Sequence, residues 1–78
     1  MALYYFHLHE CGHLLKDLEG LECASLDEAL ETARANARDV MVGELRQGRL
    51  CFSWSISIVD ASAQEVARLR FRDAVTVT

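Results

Sequence analysis

Apolar and polar residues alternate in several segments of the chain, as they do in strands that bury one face. The alternation is clearest over Phe52–Val59, where aromatic and branched residues alternate with serines, and over Leu3–His9. A shorter pattern over Val66–Phe71 predicts another strand. We also expect a short strand over His13–Asp17, entered through a turn at Gly12, because glycine readily adopts a positive φ.

Between these strands, apolar residues recur every three or four positions and predict one long helix, Leu26–Arg46. Ser25 is the expected N-cap, and Glu28 three residues later completes a capping box. Gly48 is the expected residue just beyond the helix, since glycine takes the left-handed conformation without strain. Small residues in the middle of the apolar stripe predict close packing on a sheet. The stripe consists of Leu26, Ala29, Leu30, Ala33, Ala37, Val40 and Met41.

These elements predict a single α+β domain over residues 1–78, with the order β-β-α-β-β. A right-handed crossover through the helix places the third strand beside the first. The predicted sheet is therefore four-stranded and antiparallel, with strand order 2-1-3-4, and the helix covers one of its faces. The predicted core consists of Tyr4, Phe6, Leu8, Leu26, Leu30, Ala33, Ala37, Val40, Phe52, Trp54, Ile56, Ile58, Leu69 and Phe71.

The composition is that of a globular protein, with 51% hydrophobic residues and a net charge of −4. The acidic balance argues against a general nucleic-acid-binding protein, although the arginines gather in the second half of the chain. No segment is as apolar as a membrane span, and the N-terminus does not resemble an export signal. The 3 cysteines, Cys11, Cys23 and Cys51, are an odd number, so we expect reduced thiols in a cytoplasmic protein.

Histidine and cysteine recur at two-residue steps around the first predicted turn. A His-x-His pair on a strand places two imidazoles on one face, and the turn can bring further ligands back to them. Zinc or nickel would accept such a set, whose members are His7, His9, Cys11 and His13. The alternative is a polar strand face that holds no metal. We adopt the alternative and expect no cofactor, because transition-metal sites need rigid ligands with outer-shell support.

A second candidate site is the sheet face opposite the helix. Arginines at alternate positions of the last strand would lie beside a row of serines and a tyrosine of the first strand. Guanidinium groups and hydroxyls bind anions, so this face is a candidate site for a phosphate or a nucleic acid. The alternative is that the charges only prevent an edge strand from aggregating. The residues concerned are Tyr5, Ser53, Ser55, Ser57, Arg68, Arg70 and Arg72.

No segment of the chain carries a recognisable catalytic motif. The serines and histidines lie on flat strands, with no oxyanion-hole loop and no acid clearly placed to orient a histidine. Cys23 and Cys51 are most simply small structural thiols. We therefore predict that the protein is not an enzyme.

The predicted helix offers a candidate interface instead. Val42 lies off the main apolar stripe, and Leu45 lies at its edge. A chain of this length has a small core, which gains stability when apolar surface is covered by a second copy. We therefore expect a homodimer that uses Val42 and Leu45.

A series of short motifs occurs in a fixed order along the chain. They are Tyr4-Tyr5-Phe6-His7-Leu8, Asp17-Leu18-Glu19-Gly20, Glu28-Ala29, Ile56-Ser57-Ile58-Val59-Asp60 and Phe71-Arg72-Asp73-Ala74. In this the chain resembles a family of short bacterial proteins catalogued only as a domain of unknown function. The resemblance implies the β-β-α-β-β layout and no known activity. The family pattern usually has a glycine near position 63, where this chain has Ala63.

A weaker resemblance concerns the start of the helix. A strand pair, an acidic-glycine turn and Leu26-Asp27-Glu28-Ala29 follow one another in an order similar to that of HicB-type antitoxins. The proline-containing turn of that family and a recognisable DNA-binding segment are missing. The sequence thus predicts a small bacterial interaction module that forms a homodimer. The alternatives are an antitoxin-like or anion-binding regulator and a metal-binding protein.

Overall fold

The computed structural model describes residues 1–78 and confirms the α+β class, with one long helix and an antiparallel sheet. A short 3-10 turn, Phe71–Asp73, follows the last strand. No helix is both long and apolar enough to cross a membrane. The elements are β1 (Ala2–Glu10), β2 (His13–Leu15), β3 (Leu21–Cys23), α1 (Leu26–Arg46), β4 (Ser55–Asp60) and β5 (Glu65–Arg70).

The sheet has five strands, so the prediction of four strands is wrong, and the unpredicted β3 makes the strand order differ from the predicted 2-1-3-4. The four predicted strands correspond to β1, β2, β4 and β5. The order along the sheet is β2-β1-β4-β5, and β3 is a further strand that pairs with β1 on the same edge as β2. β2 pairs with the end of β1, whereas β3 pairs with its beginning, from Ala2 to Tyr4. The sequence did not reveal β3, because three residues are too few to show an alternation.

Most strand boundaries differ from the predictions by one residue or more, and three of these differences have a clear structural cause. β2 ends at Leu15 rather than Asp17, because the chain leaves β1 there and returns to it only at β3. β4 begins at Ser55 rather than Phe52, since the preceding residues bend. β5 ends at Arg70, and the backbone N–H of Phe71 donates to Trp54 O at 2.9 Å before the chain turns.

α1 has the predicted bounds and the predicted N-cap at Ser25, but only one of the two hydrogen bonds of the predicted capping box. The Ser25 Oγ accepts a hydrogen bond from Glu28 N at 3.2 Å, which satisfies one of the free N–H groups of the first turn. Beyond the last turn, Gly48 has a φ of +80°. The Gly48 N–H donates to Leu45 O at 2.9 Å, so the chain closes the helix and turns towards β4.

Small side chains form the innermost face of α1. Ala29, Ala33 and Ala37 are fully buried, and Met41 is nearly so. The helix therefore lies close to the sheet, where Ile56 and Ile58 of the central strand β4 are also buried. Several residues predicted as core are only partly buried against this cluster. They are Tyr4, Phe6, Leu8, Leu26, Leu30, Val40, Phe52 and Trp54.

The far end of the core is closed by the segment after β5. Phe71 is fully buried, and its ring meets Trp54 edge-on with the ring centroids 5.9 Å apart. Ala74 is buried beside them, and Arg38 of α1 donates from Nε to Ala74 O at 2.7 Å. Cys23 of β3 completes the core, as its interpretation as a structural thiol predicts.

Candidate functional site

The sheet face opposite the helix carries two cross-strand rows of polar side chains. The first row is His7 on β1, Ser57 on β4 and Arg68 on β5. The second row consists of His9, Ser55 and Arg70 on the same three strands. We call these six residues the polar sheet face. Tyr5 lies on β1 two residues before His7, opposite Val59 rather than opposite a serine.

Hydrogen bonds connect the two rows. His9 Nε2 lies 2.9 Å from Ser57 Oγ and 3.4 Å from Arg68 Nη2, and Arg68 Nη1 donates to Ser55 Oγ at 3.5 Å. Burial and the adjacent Arg68 charge lower the pKa of His9, with burial the larger cause. The neutral imidazole is therefore favoured, and its unprotonated nitrogen can accept a hydrogen bond from Ser57.

The arginines of this region are paired within the chain. Arg68 Nη2 donates to Glu65 Oε1 at 2.9 Å, and Arg70 Nε donates to Asp73 Oδ2 at 3.0 Å. The hydrogen bond from Arg68 is the main reason why the pKa of Glu65 is lowered. Arg72 lies in the 3-10 turn beyond β5, so the prediction that it lines the strand with the other two is wrong. An anion at this face would compete with carboxylates already in place.

Ser57 and His9 are as close as a catalytic nucleophile and its general base, but the residues around them are not those of a catalytic site. Ser57 is only 2% exposed and lies on the central strand. No carboxylate is hydrogen-bonded to His9, and Glu65 acts on it only through its charge. Ser55 is buried as well, because serine is shorter than the histidine and arginine side chains on both neighbouring strands. Ser53, the third serine of the predicted row, lies in the bend before β4 and is exposed.

Asp17 holds together the interrupted edge between β2 and β3, a role that the sequence did not reveal. Its Oδ2 accepts from Phe6 N at 3.1 Å, and its Oδ1 accepts from Glu19 N and Gly20 N at 3.2 Å each. The Asp17 N–H in turn donates to His7 Nδ1 at 3.0 Å. Burial raises the pKa of Asp17, but these backbone N–H groups outweigh it, so the pKa is lowered.

The four residues of the predicted metal site are not brought together. His7 accepts from the Asp17 N–H and stacks on Tyr5, with ring centroids 6.4 Å apart. His9 contacts Ser57, and the Cys11 thiol lies against a different serine, Ser53. His13 is exposed at the start of β2. No three histidine, cysteine, aspartate or glutamate side chains form a group that could hold a metal ion.

A separate surface lies where the last turns of α1 meet the chain before β4. It is an open groove of about 260 Å³, lined by apolar side chains and the stem of one arginine. Val42, Leu45 and Leu50 are 47%, 56% and 45% exposed. We call this surface the apolar groove. It is lined by Arg38, Met41, Val42, Leu45, Leu50, Phe52 and Val75.

The sequence identified only part of this groove. Val42 was singled out because it lies off the main apolar stripe and Leu45 because it lies at the edge of the stripe, and both line the groove. Phe52 was assigned to a strand and to the core. It lies instead in the bend before β4, half-buried, with one side in the groove. The bend could not be predicted, because the alternating pattern of Phe52, Trp54 and Ile56 extends beyond the start of β4 at Ser55.

Together these features define a small α+β protein with an internally bonded polar sheet face and an exposed apolar groove. The family described as Domain of unknown function (DUF6894) matches residues 3–72, so the chain belongs to this family. The resemblance that the sequence motifs suggested is thereby confirmed, whereas the one to HicB-type antitoxins is not shown. No curated protein and no solved structure matches the chain.

Proposed function

We propose that this protein is a non-enzymatic interaction module that forms a two-fold homodimer through the apolar groove. The observation that carries the proposal is the exposure of Val42, Leu45 and Leu50 side by side in one groove. Contiguous exposed apolar surface of this kind is typical of interaction sites. Only 12 of 78 residues are buried in the single chain, so covering the groove would add substantially to a small core.

Charges beside the groove favour a second copy of this chain as the occupant. Asp39 and Arg46 are exposed on the side of α1 that carries Val42. Neither takes part in the ion pairs of the single chain. When two copies of α1 cross antiparallel near Val42, Asp39 of one protomer lies opposite Arg46 of the other. A two-fold axis forms this pair twice and uses the same surface on both copies.

Light scattering and sedimentation equilibrium test the interface. Val42→Glu combined with Leu45→Glu should convert the dimer to a monomer, because two carboxylates would be buried on each side. Leu14→Glu with Leu18→Glu is the matched control, since it adds the same charge at exposed leucines outside the groove. A native chain that is monomeric at all concentrations, or a dimer that survives the groove variant, would contradict the proposal.

A charge exchange tests the arrangement of the two copies. Asp39→Arg alone and Arg46→Asp alone should each weaken the dimer about tenfold at low salt, because like charges then face each other twice. The two changes together should restore the native dissociation constant. If the double variant does not regain the native dissociation constant, the antiparallel crossing is excluded. The use of the groove as the interface is tested separately by the glutamate variants.

We also propose a cellular location and a source for this module. The free thiols of Cys11 and Cys51 suit a reducing compartment, which supports a cytoplasmic location. The resemblance to short bacterial proteins supports a bacterial source. Fractionation of a native host with an antibody to the chain would test the location, and recovery in a secreted or periplasmic fraction would oppose it.

A further inference from the structure

Two thiols that are distant in sequence lie at the same end of the sheet. Cys11 is in the turn between β1 and β2, and Cys51 precedes β4. The Cys11 Sγ lies 3.6 Å and the Cys51 Sγ 3.0 Å from one atom, Ser53 Oγ. The β1–β4 register explains this, since the ladder ends at His9 and Ser55, and continuing it by two residues beyond the strands brings Cys11 towards Ser53.

The surroundings of Cys51 favour its reaction. The Ser53 hydroxyl and backbone lower the pKa of Cys51, and the Cys11 side chain lowers it further. Cys51 also lines an open cavity of about 590 Å³ beside Arg49, so a small reagent can reach its sulfur. Cys23 provides the contrast, because it is fully buried and burial raises its pKa.

We propose that Cys11 and Cys51 form a reversible intramolecular disulfide by exchange with a low-molecular-weight disulfide such as oxidised glutathione. The Cys51 thiolate attacks one sulfur of the reagent, giving a mixed disulfide and releasing one thiol. The Cys11 thiolate then attacks the Cys51 sulfur and displaces the second thiol. The two protein thiols lose two electrons and two protons in total, and the reagent is reduced to two thiols.

The local backbone leaves room for the bond. A disulfide brings the sulfurs to about 2.05 Å, so the thiols must give up their present contacts with the Ser53 hydroxyl. Both cysteines lie outside the β1–β4 ladder, which ends at the pair of His9 and Ser55. The space beside Gly12, next to Cys11, is open, so a small shift of the turn there meets no neighbouring atoms. The bond would tie the first turn to the segment that follows α1.

Intact mass spectrometry tests the proposal. The full chain is incubated with oxidised glutathione, quenched with acid and weighed without alkylation, and we expect the loss of two hydrogens with no added glutathione. Trypsin cleaves after Lys16 and Arg49, so a linked pair of peptides identifies the bond between Cys11 and Cys51. Reduction with excess thiol should return the native mass, and Cys23→Ala should behave as the native chain does.

Single variants distinguish the two steps. Cys11→Ser should stop at the mixed disulfide on Cys51, because the resolving thiol is missing. Cys51→Ser should react at least about tenfold more slowly than the native chain, because the activated thiolate is lost. A stable mixed disulfide in the native chain, a doubled mass from a bond between chains, or a bond that includes Cys23 would each overturn the proposal.

Discussion

The replacement Asp17→Asn tests the physical account of the interrupted sheet edge. The carboxylate accepts three backbone hydrogen bonds, one from Phe6 to Oδ2 and two from the loop to Oδ1. An asparagine has a single side-chain oxygen, so it can accept either from Phe6 N or from the loop N–H groups. Its NH2 group then faces the remaining N–H donors, with which it cannot form a hydrogen bond. The shape of the side chain is otherwise unchanged.

The magnitude follows from the number and burial of these bonds. A hydrogen bond to a charged group contributes about 1.5–3 kcal/mol, and the bond from the partly buried Phe6 N–H is of this kind. We therefore expect Asp17→Asn to lower the free energy of unfolding by about 2–3 kcal/mol at pH 7. With a urea m-value of about 1–1.5 kcal/mol/M for a small domain, the midpoint should fall by roughly 2 M.

The pH dependence gives an independent check of the same bonds. The pKa of Asp17 is lowered in the folded chain, so its carboxylate stabilises the fold above the ordinary aspartate pKa of about 3.9. This contribution is lost as the pH falls through the lower folded-state pKa. The difference between the native chain and Asp17→Asn should therefore be constant near pH 7 and shrink below about pH 4.

Glu19→Gln is the matched control. It removes the same charge from the same loop, but the Glu19 side chain makes no hydrogen bond, and only its backbone N–H does. Urea melts followed by circular dichroism should show little change for this variant. Equal losses for Asp17→Asn and Glu19→Gln, or a difference that persists unchanged at pH 2.5, would refute the reasoning.

Three further tests, with five substitutions in all, probe the backbone and the core by denaturant melts. Gly20→Ala should cost more than Gly12→Ala, although both have a positive φ, because a Cβ at Gly20 would lie 3.0 Å from Tyr4 O and one at Gly12 meets nothing. Equal costs would show that only the dihedral angle matters. Ala63→Gly should stabilise the chain by about 0.5–1 kcal/mol, since Ala63 has a φ of +64°; no gain would show that this turn is unstrained. Ile56→Ala should cost about 2–5 kcal/mol and Ser57→Ala about 1–2 kcal/mol, and a silent Ser57→Ala would contradict its buried bond to His9.

Short-range patterns in the sequence were sufficient to predict the helix and the longer strands. Helical periodicity and the cap at Ser25 located α1 over Leu26–Arg46, because these signals depend on neighbouring residues only. The helix and its cap could be predicted because each reflects the conformation of a few consecutive residues.

The candidate sites depended on contacts that sequence periodicity does not encode. Alternation placed Ser57 on the correct strand but could not show that His9 and Arg68 cover it from both sides. Asp17 was predicted as the last residue of the second strand, whereas its bond to Phe6 N joins residues eleven positions apart and forms in the gap that β2 and β3 leave along β1. Such contacts are set by tertiary structure.

Self-association through the apolar groove is the central claim, and isotope-filtered NMR on a mixture of labelled and unlabelled chains tests it most directly. We expect intermolecular NOEs between the methyl groups of Val42 and Leu45 and the apolar groove of the other protomer. The relaxation times should correspond to about twice the mass of the 8.8 kDa chain. Intermolecular NOEs confined to the β5 edge, or monomer relaxation with no intermolecular NOE at millimolar concentration, would contradict the account.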